Sequence, residues 1–398
     1  MDEKYMKLAM ELAKKGEGKV NPNPLVGAVI VKDKEVIGKG YHKIFGGNHA
    51  EVEAFNSLDN ESYGATMYVT LEPCSHYGKT PPCVDKIIEN KISKVIIGCL
   101  DPNPIVKGNG LKKLKSAGIE VEISKLEDKC KSLNEVFMKY ISSKKPFVVL
   151  KTAMSLDGKI STYTGESKWI TGENSRKSVH KLRNKYMGIM VGVNTVIKDN
   201  PELTCRLESG NNPVRIIVDS TLRIPMNSKV ILNNKNLYDL NILKKINGEL
   251  ENSRDYFRVD NNLSFNNKKS LKDITIIATT NKADKEKIKL LESKGILVII
   301  TKQKNNKVDL NDLMIKLGRL NIDSILLEGG SELNFSAINE KIVDKVICYI
   351  APKIIGGTLA KTPIGGQGIG KLIDAINIKN MSLKSIGEDV VIEGYIEG

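Results

Sequence analysis

Tryptophan is almost missing from this chain. Among 398 residues there is one Trp, with seven Phe and twelve Tyr, so aromatics make up 5%. Proteins that stack bases on aromatic platforms interleave such residues with basic ones. The formal charge of +14 could point to nucleic acid, yet the lysines are scattered and no basic run stands out. No nucleic-acid partner is expected; a mild positive field suits anionic small substrates equally well. Long apolar runs are lacking too. None approaches the roughly 20 residues of a membrane span. The opening "MDEKYMKLAMELAKKGEGKV" has no uninterrupted apolar core of the kind a signal peptide carries. Tyr5, Leu8, Ala9 and Leu12 instead repeat at helical spacing. A cytoplasmic protein with no membrane partner is expected, starting on an amphipathic helix. The six cysteines are spread over nearly the whole chain. That is no disulfide framework, and free thiols or metal ligands fit better.

At roughly 100–200 residues per domain, a chain of this length predicts two. After the first helix, "PLVGAVIVKDKEVIGKGYH" reads as a hairpin about the polar turn "KDKE". "HAEVEAFNSL" is a helix, "ATMYVTLEP" a strand, and "PPCVDKIIENKI" a helix headed by proline. "KVIIGCLDP" and "IEVEI" are strands, and one helix near "KLEDKCKSLNEVFMKYISS" closes an α/β unit. "KKP" marks a boundary, giving domains 1–145 and 146–398. The second domain repeats the α/β habit. "PFVVLKTAMS", "MGIMVGV", "PVRIIVDS", "DITIIAT", "LVIIT" and "DSILLEGG" are strands. "ENSRKSVHKLRNKY", "DKEKIKLLESKG", "LNDLMIKLGRL" and "SELNFSAINE" are helices. Between Leu232 and Lys272, ten of 41 residues are Asn. That stretch is expected to be an insertion outside the core, a surface excursion or else a lid or oligomer contact anchored by Tyr256 and Phe257.

Chemistry enters at "HAEVEAF" and "EPCSHYGKTPPC". His49, Cys74 and Cys83 supply one nitrogen and two sulfur donors. A catalytic zinc site takes three such ligands and leaves a position for water, whose pKa falls towards ~7. Glu51 lies two residues from His49, off its helix face, so it need not be a ligand and is free to shuttle protons. Both ligand segments sit at predicted helix starts, where the dipole favours thiolate. A lone His-x-Glu or Pro-Cys would mean nothing, and each cysteine could be an ordinary buried thiol. In this order, however, they resemble the zinc nucleobase-deaminase signature, His-x-Glu followed by Pro-Cys-x-x-Cys. Here the gap between the cysteines is eight residues, "SHYGKTPP", instead of two.

That longer gap, with "NPNPLVGAVIV" upstream and "DPNP" downstream, resembles the bifunctional riboflavin-biosynthesis deaminase/reductase family. "TAMSLDGKIS", "ESKWITG", "VGVNTVIKDNPELTCR" and "LLEGGSELN" are similar to its reductase half. The resemblance implies a cytidine-deaminase-like α/β/α domain followed by a dihydrofolate-reductase-like α/β domain. It implies Zn²⁺ on His49, Cys74 and Cys83, Glu51 as proton donor, and NADPH as hydride donor. The partners implied are phosphorylated pyrimidine substrates and, for the assembly, a homo-oligomer. Loops around the first pocket place Asn23, His42, His76, Lys79, Asp101 and Asn103 as substrate contacts, each alternatively a solvated loop residue. Asp101-Pro-Asn103-Pro equally reads as a rigid turn.

In the second half, Gly329-Gly330 followed by Ser331 at a helix start is the most physical signal. Glycine lets a phosphate approach the backbone, and a helix N-terminus favours anions. Mapped by resemblance, NADP contacts fall on Ala153, Trp169, Thr195, Asp199, Ser220 and the run Gly330, Ser331, Glu332, Leu333, Asn334, Phe335 and Ser336. Substrate contacts fall on Ser167, Arg183, Leu203, Arg206 and Glu328. Arg183 and Arg206 suit the ribose phosphate, or else form salt bridges. Trp169 lines the site, or is simply core. Lys151 and Asp157 are further polar groups near the reacting sugar. "GGQGIGKL", Gly365 to Leu372, nearly spells a phosphate-binding loop, but Leu372 replaces the required hydroxyl; it reads as a glycine loop. Two other classes compete. A nucleoside or tRNA deaminase fused to an unrelated module would have the two-residue gap and a broad basic face. A regulatory zinc module would have no use for Glu51.

Overall fold

The structure, a computed structural model, describes residues 2–59, 61–77, 81–103, 107–234 and 273–397. It divides into two compact units, Met1–Lys144 and Lys145–Gly398. The first runs α1 (Asp2–Lys14), β1 (Gly27–Lys32), β2 (Glu35–Tyr41), α2 (Ala50–Asn56), β3 (Thr66–Val69), α3 (Cys83–Glu89), β4 (Lys94–Ile97), α4 (Asn109–Ser116), β5 (Glu120–Ile123), α5 (Glu127–Leu133) and α6 (Glu135–Ser143). The sheet order is β2-β1-β3-β4-β5, antiparallel at β2-β1-β3 and parallel from β3 to β5. Strand residues alternate between two cores. Ile30, Met67, Val69, Val95 and Ile97 pack on α2, α3 and α4. Val29, Val31, Tyr68 and Ile96 pack on α1, α5 and α6. A side chain at Gly40 of β2 would meet the Ala50 carbonyl oxygen at 2.2 Å. That bare contact seats α2, and with it His49 and Glu51, directly on the sheet.

One expected helix is two. α5 and α6 break at Asn134, whose buried side chain turns away to bond Leu25 on both sides, accepting its N–H at 2.8 Å and donating to its carbonyl at 2.9 Å. An Asn satisfied by distant backbone interrupts a helix that its neighbours would continue.

The second unit comprises β6 (Phe147–Ser155), α7 (Glu173–Lys185), β7 (Gly188–Gly192), α8 (Val193–Asp199), β8 (Val214–Val218), α9 (Lys229–Leu232), β9 (Thr275–Thr279), α10 (Lys285–Ser293), β10 (Leu297–Ile300), a small hairpin of β11 (Gln303–Lys304) and β12 (Lys307–Val308), α11 (Leu310–Arg319), β13 (Ser324–Gly329), α12 (Ser331–Asn339), β14 (Lys345–Ala351), β15 (Ile378–Ile386) and β16 (Asp389–Ile396). Its sheet order is β10-β9-β8-β7-β13-β6-β14-β16-β15. The seven strands from β10 to β14 are parallel, and β16 and β15 add antiparallel. β14, β15 and β16 were not expected from the sequence. β15 is nearly all exposed, and its pairing with β16 slips between Lys379 and Ser382, so no alternation marks it.

The chain leaves β7 towards β8 and leaves β13 towards β14, on opposite sides. Open α/β sheets bind ligands where neighbouring strands part in this way, at their carboxyl ends. Among the described residues no helix is long and apolar enough to cross a membrane. The expected insertion lies almost wholly outside the described residues, as do Tyr256 and Phe257.

Candidate active sites

In the first unit, α2 starts immediately after His49 and α3 starts on Cys83 behind Pro82. Two helix N-termini thus point at one spot. His49, Cys74 and Cys83 each aim a donor there, all within 4.8 Å of one another. His49 Nδ1 lies 3.2 Å from Cys83 Sγ and 3.5 Å from Cys74 Sγ. The Cys83 backbone N–H donates to Cys74 Sγ at 3.3 Å. Hydrogen bonding from the Cys83 thiol is the largest force on Cys74. With His49 and the Cys83 N–H it overcomes burial and holds Cys74 at about 4, as a thiolate. Cys83, sharing that bond and buried, is pushed up. His49 is raised, chiefly by its bond to Cys74. Two sulfurs and one imidazole nitrogen, with one sulfur already anionic, match what a zinc ion asks of a protein.

Glu51, on the first turn of α2, is 3% exposed. Burial drives its carboxyl up to about 7, against the pull of His49. It is not one of the three clustered donors. A divalent cation beside it would favour the carboxylate again.

Around the cluster, His42 is 3% exposed, with its ring 6.0 Å from that of His49. Its Nδ1 lies 2.8 Å from the Asn48 carbonyl, which can only accept, so Nε2 accepts from Asn23 Nδ2 at 3.1 Å. Both ring nitrogens are therefore engaged, and the Asn23 amide is oriented with its oxygen free of His42. Asp101 accepts the Asn103 N–H at 2.8 Å. Its carboxyl is raised by burial, against that bond. His76 is exposed. Lys79 lies outside the described residues.

The second unit holds a cleft of about 1020 Å³ at the carboxyl ends of β7 and β13. Ser167, Thr195, Asp199, Ser220, Gly330, Ser331, Glu332, Leu333, Phe335 and Ser336 line it. Ala153, Trp169, Arg183, Leu203, Arg206, Glu328 and Asn334 do not. Gly329 has φ of +97°, which glycine alone adopts readily. That turn aims the start of α12 into the cleft.

Behind it, Glu328 sits where the β13–β7 register shifts, a bulge that re-aims a side chain. Arg183 grips it from two nitrogens, Nε to Oε1 at 2.8 Å and a terminal nitrogen to Oε2 at 2.9 Å. A third Arg183 nitrogen donates to the Thr204 carbonyl, and Lys151 approaches Glu328 at 3.4 Å. Burial alone would raise Glu328; the charges of Arg183 and Lys151 overcome it and hold the carboxyl at about 2. The guanidinium that the sequence offered to a phosphate is thus engaged with a carboxylate. Arg206 is exposed and meets Glu202 only at 3.5 Å. Asp157 accepts from the Ser155 hydroxyl and the Ile355 and Gly356 N–H groups, which hold it at about 2. It pins a loop. Trp169 is 62% exposed under Arg176, 4.8 Å away, so it is not core.

Residues 1–99 match the cytidine and deoxycytidylate deaminase zinc-binding region, and residues 146–392 match the RibD C-terminal domain. The riboflavin biosynthesis protein RibD of Actinobacillus pleuropneumoniae is 46% identical over 389 residues, 98% of this chain and 94% of that protein. The chain belongs to the RibD family. It is a bifunctional riboflavin-biosynthesis enzyme, a zinc-binding deaminase domain joined to a reductase domain. Among solved structures, Acinetobacter baumannii RibD matches with a TM-score of 0.81 at 31% identity, covering 100% of this chain and 99% of its own. A Thermotoga maritima diaminohydroxyphosphoribosylaminopyrimidine deaminase/5-amino-6-(5-phosphoribosylamino)uracil reductase matches with a TM-score of 0.76 at 37% identity, covering 99% and 98%.

Sequence reasoning missed several residues at these sites. Lys198, Arg223, Lys304, Lys307 and Lys361 line the cleft, but in a chain with 61 Lys and Arg nothing sets them apart. Glu72, buried between the two loops of the first site, was read only as part of a Glu-Pro-Cys run.

Proposed function

We propose that the first unit hydrolyses the ring amino group of a diaminopyrimidinone carrying a phosphoribosylamino arm, and that the second reduces the opened ribose to a ribityl arm with NADPH. The substrate is the one named for the Thermotoga relative. The observation that carries the reading is the donor cluster with a buried carboxyl pressed beside it that is not needed as a ligand.

His49, Cys74 and Cys83 would hold zinc, which when bound acidifies a water towards neutral pH. Glu51 takes one proton from the attacking water and gives it to the ring nitrogen, where it stays; it then carries the second water proton, released as the new carbonyl forms, to the departing ammonia. A carboxyl walled from solvent can return the proton it has taken. Asn23, Asp101 and Asn103 are the ring's hydrogen-bonding partners. His42 acts through Asn23, because its own nitrogens are engaged. His76 and Lys79 would supply the hydrogen bonds and charge that the phosphate arm needs.

In the second unit, NADPH supplies the hydride when bound. The start of α12 from Gly330 to Ser336, with Thr195, Asp199 and Ser220, would hold it, with Ala153 and Trp169 as further contacts. Five cations around the cleft suit its phosphates, including the one that distinguishes it from NADH. Arg206 grips the substrate phosphate, with Ser167 and Leu203 beside it. Arg183 fixes Glu328, whose carboxylate is then ready to accept sugar hydroxyls. We further infer a cytoplasmic enzyme from six free cysteines. We infer a homo-oligomer because Ile354, Leu359, Leu372 and Ile373, together with Met381 and Leu383 of edge strand β15, are all well exposed; light scattering at the mass of one chain would refute it.

The deciding experiment supplies the diamino substrate and NADPH and follows ammonia and the ribitylamino product. Chelator should stop ammonia release and spare reduction of pre-deaminated substrate. Ammonia release that survives complete metal removal would sink the first assignment.

A further inference from the structure

The donor loop and the loop carrying Asp101 and Asn103 leave different strands, yet one buried side chain joins them. Glu72 lies past the end of β3, two residues before Cys74, and is 4% exposed. Its oxygens accept three backbone N–H groups of the neighbouring segment. Oε2 takes Asp101 at 3.3 Å and Gly108 at 3.0 Å; Oε1 takes Leu111, in the first turn of α4, at 3.1 Å. The Glu72 N–H itself donates to the Cys99 carbonyl at 2.9 Å, tying the ends of β3 and β4. A carboxylate meeting N–H groups at a helix start makes strong, charge-assisted bonds.

Gly110 gives an independent sign of how tightly the pieces are drawn. A Cβ there would lie 2.3 Å from the Pro73 carbonyl oxygen and 3.2 Å from Glu72 Cγ and Oε1. Only bare backbone fits between α4 and the Glu72–Pro73 peptide. Beyond this anchor the turn is closed on itself. Asp101 accepts the Asn103 N–H, and the Asn103 carbonyl accepts the Lys107 N–H, both at 2.8 Å. Asp101 and Asn103 therefore hang as one piece from the Glu72 carboxylate.

We propose that Glu72 is a positioning residue of the deaminase: it sets the Asp101–Asn103 turn against the His49–Cys74–Cys83 cluster without touching substrate. The inference rests on the reading of that turn as a contact for the pyrimidine. Its physical basis is that reacting groups tolerate little misplacement, and a shift of 1 Å can cost about a hundredfold. Glutamine at position 72 keeps the size and one acceptor oxygen. Its NH₂ group, however, must face a backbone N–H, and that end of the turn is released. A residue that merely held the fold would alter stability and leave the Michaelis constant alone.

The test uses the full chain with Glu72→Gln, Asn103→Ala and the double variant. Glu72→Gln should keep its zinc and reduce pre-deaminated substrate at the parent rate. Its deamination KM should rise about tenfold, with a smaller fall in kcat. Asn103→Ala should raise KM similarly, and the double variant should be no worse than Asn103→Ala, because both act through one turn. Binding without turnover is read by calorimetry in a Glu51→Gln background, where adding Glu72→Gln should weaken substrate affinity by the same factor. Additive losses, or parent KM in zinc-loaded Glu72→Gln while Asn103→Ala is impaired, overturn the positioning role. Parent KM in Asn103→Ala instead overturns the reading of the turn, and the inference goes with it. Should Glu72→Gln fail to take up zinc, Glu72→Asp replaces it, keeping the charge on an arm one methylene shorter. Parent KM there overturns the proposal equally.

Discussion

In the first unit, three donor atoms lie within 4.8 Å of one another and a buried carboxyl sits beside them. In the second, a cleft of about 1020 Å³ is lined by glycines, hydroxyls, a helix start and cations. On the proposed reading the first site is made of side chains that nothing else could replace, because a metal and a proton shuttle need particular atoms. The second is made largely of backbone and of diffuse charge, which many sequences could supply. Substitutions of the donors or of Glu51 should therefore be all-or-none, and substitutions in the second unit graded.

The largest effect expected is in the first unit. Glu51→Gln should abolish deamination, by about 10²–10⁴-fold or more for a positioned acid–base group, while zinc stays bound. Reduction of pre-deaminated substrate should persist, measured by NADPH oxidation. Loss of both activities in a folded variant would break the comparison, because the sites would then not be independent.

Next comes the buried charge cluster of the second unit. Glu328→Gln leaves Arg183 and Lys151 facing a neutral group. Removing one partner of a buried pair costs about 3–5 kcal/mol. Folding holds the Glu328 carboxyl at about 2, below its ordinary value of 4.5. A depressed carboxyl contributes stability that is fully present above its unfolded pKa and is lost as pH falls through the folded one. The gap in melting temperature between parent and Glu328→Gln should hence be largest near neutrality and shrink between about pH 4.5 and 2. A gap that does not change with pH would mean that the carboxylate is not held by those cations.

The same contrast governs what could be read from the sequence. His49, Glu51, Cys74 and Cys83 were legible because donor chemistry restricts residue type, and their helix-start positions came with it. The short apolar runs Met67, Tyr68 and Val69, and Ile325, Leu326 and Leu327, made the strands legible as well. Glu72 was not, because a carboxylate that bonds backbone N–H groups 29 to 39 residues away leaves no pattern. Asn134 is the same case at 109 residues. Arg183 was left between a phosphate and a salt bridge, since a guanidinium fits phosphate and carboxylate alike. Glu328, which decides between them, lies 145 residues on. β15 was missed because a strand exposed over most of its length has no apolar face to announce it.

A smaller, graded effect is expected at Arg206 of the second unit, the proposed phosphate contact. Arg206→Ala removes one exposed charge whose partner, Glu202, is itself part-exposed, so the fold should be untouched. A charge-assisted contact is worth roughly 1.5–3 kcal/mol, so the apparent substrate constant of reduction should rise about ten- to hundredfold. The NADPH constant should hardly move. A collapse of NADPH affinity instead would place Arg206 on the cofactor.

The smallest effect should come from the largest change, replacing residues 235–272 by a short Gly/Ser linker. The described residues flanking that segment are held without it. Arg215, fully buried on β8, donates from one guanidinium nitrogen to the Asn233 carbonyl at 3.1 Å and to the Asp273 carbonyl at 2.6 Å. Asn234 accepts the Thr275 N–H at 2.9 Å, and Asn212 donates to the Asp273 carboxylate at 2.7 Å. Both ends of the insertion are thus pinned to one cation, so its closure does not depend on what lies between. A change of loop length costs only about 0.6 kcal/mol per doubling. Asn234 must be kept, because its side chain starts β9. Deamination and reduction should both stay within a few-fold of the parent, and the oligomer should keep its mass. A large fall in reductase turnover would mark the segment as part of the cleft, and a change in mass would mark it as an interface. Arg215→Ala in the parent should do more harm than the whole replacement, because it frees both ends at once. A melting temperature unchanged by Arg215→Ala would show that the ends are held by something other than this guanidinium.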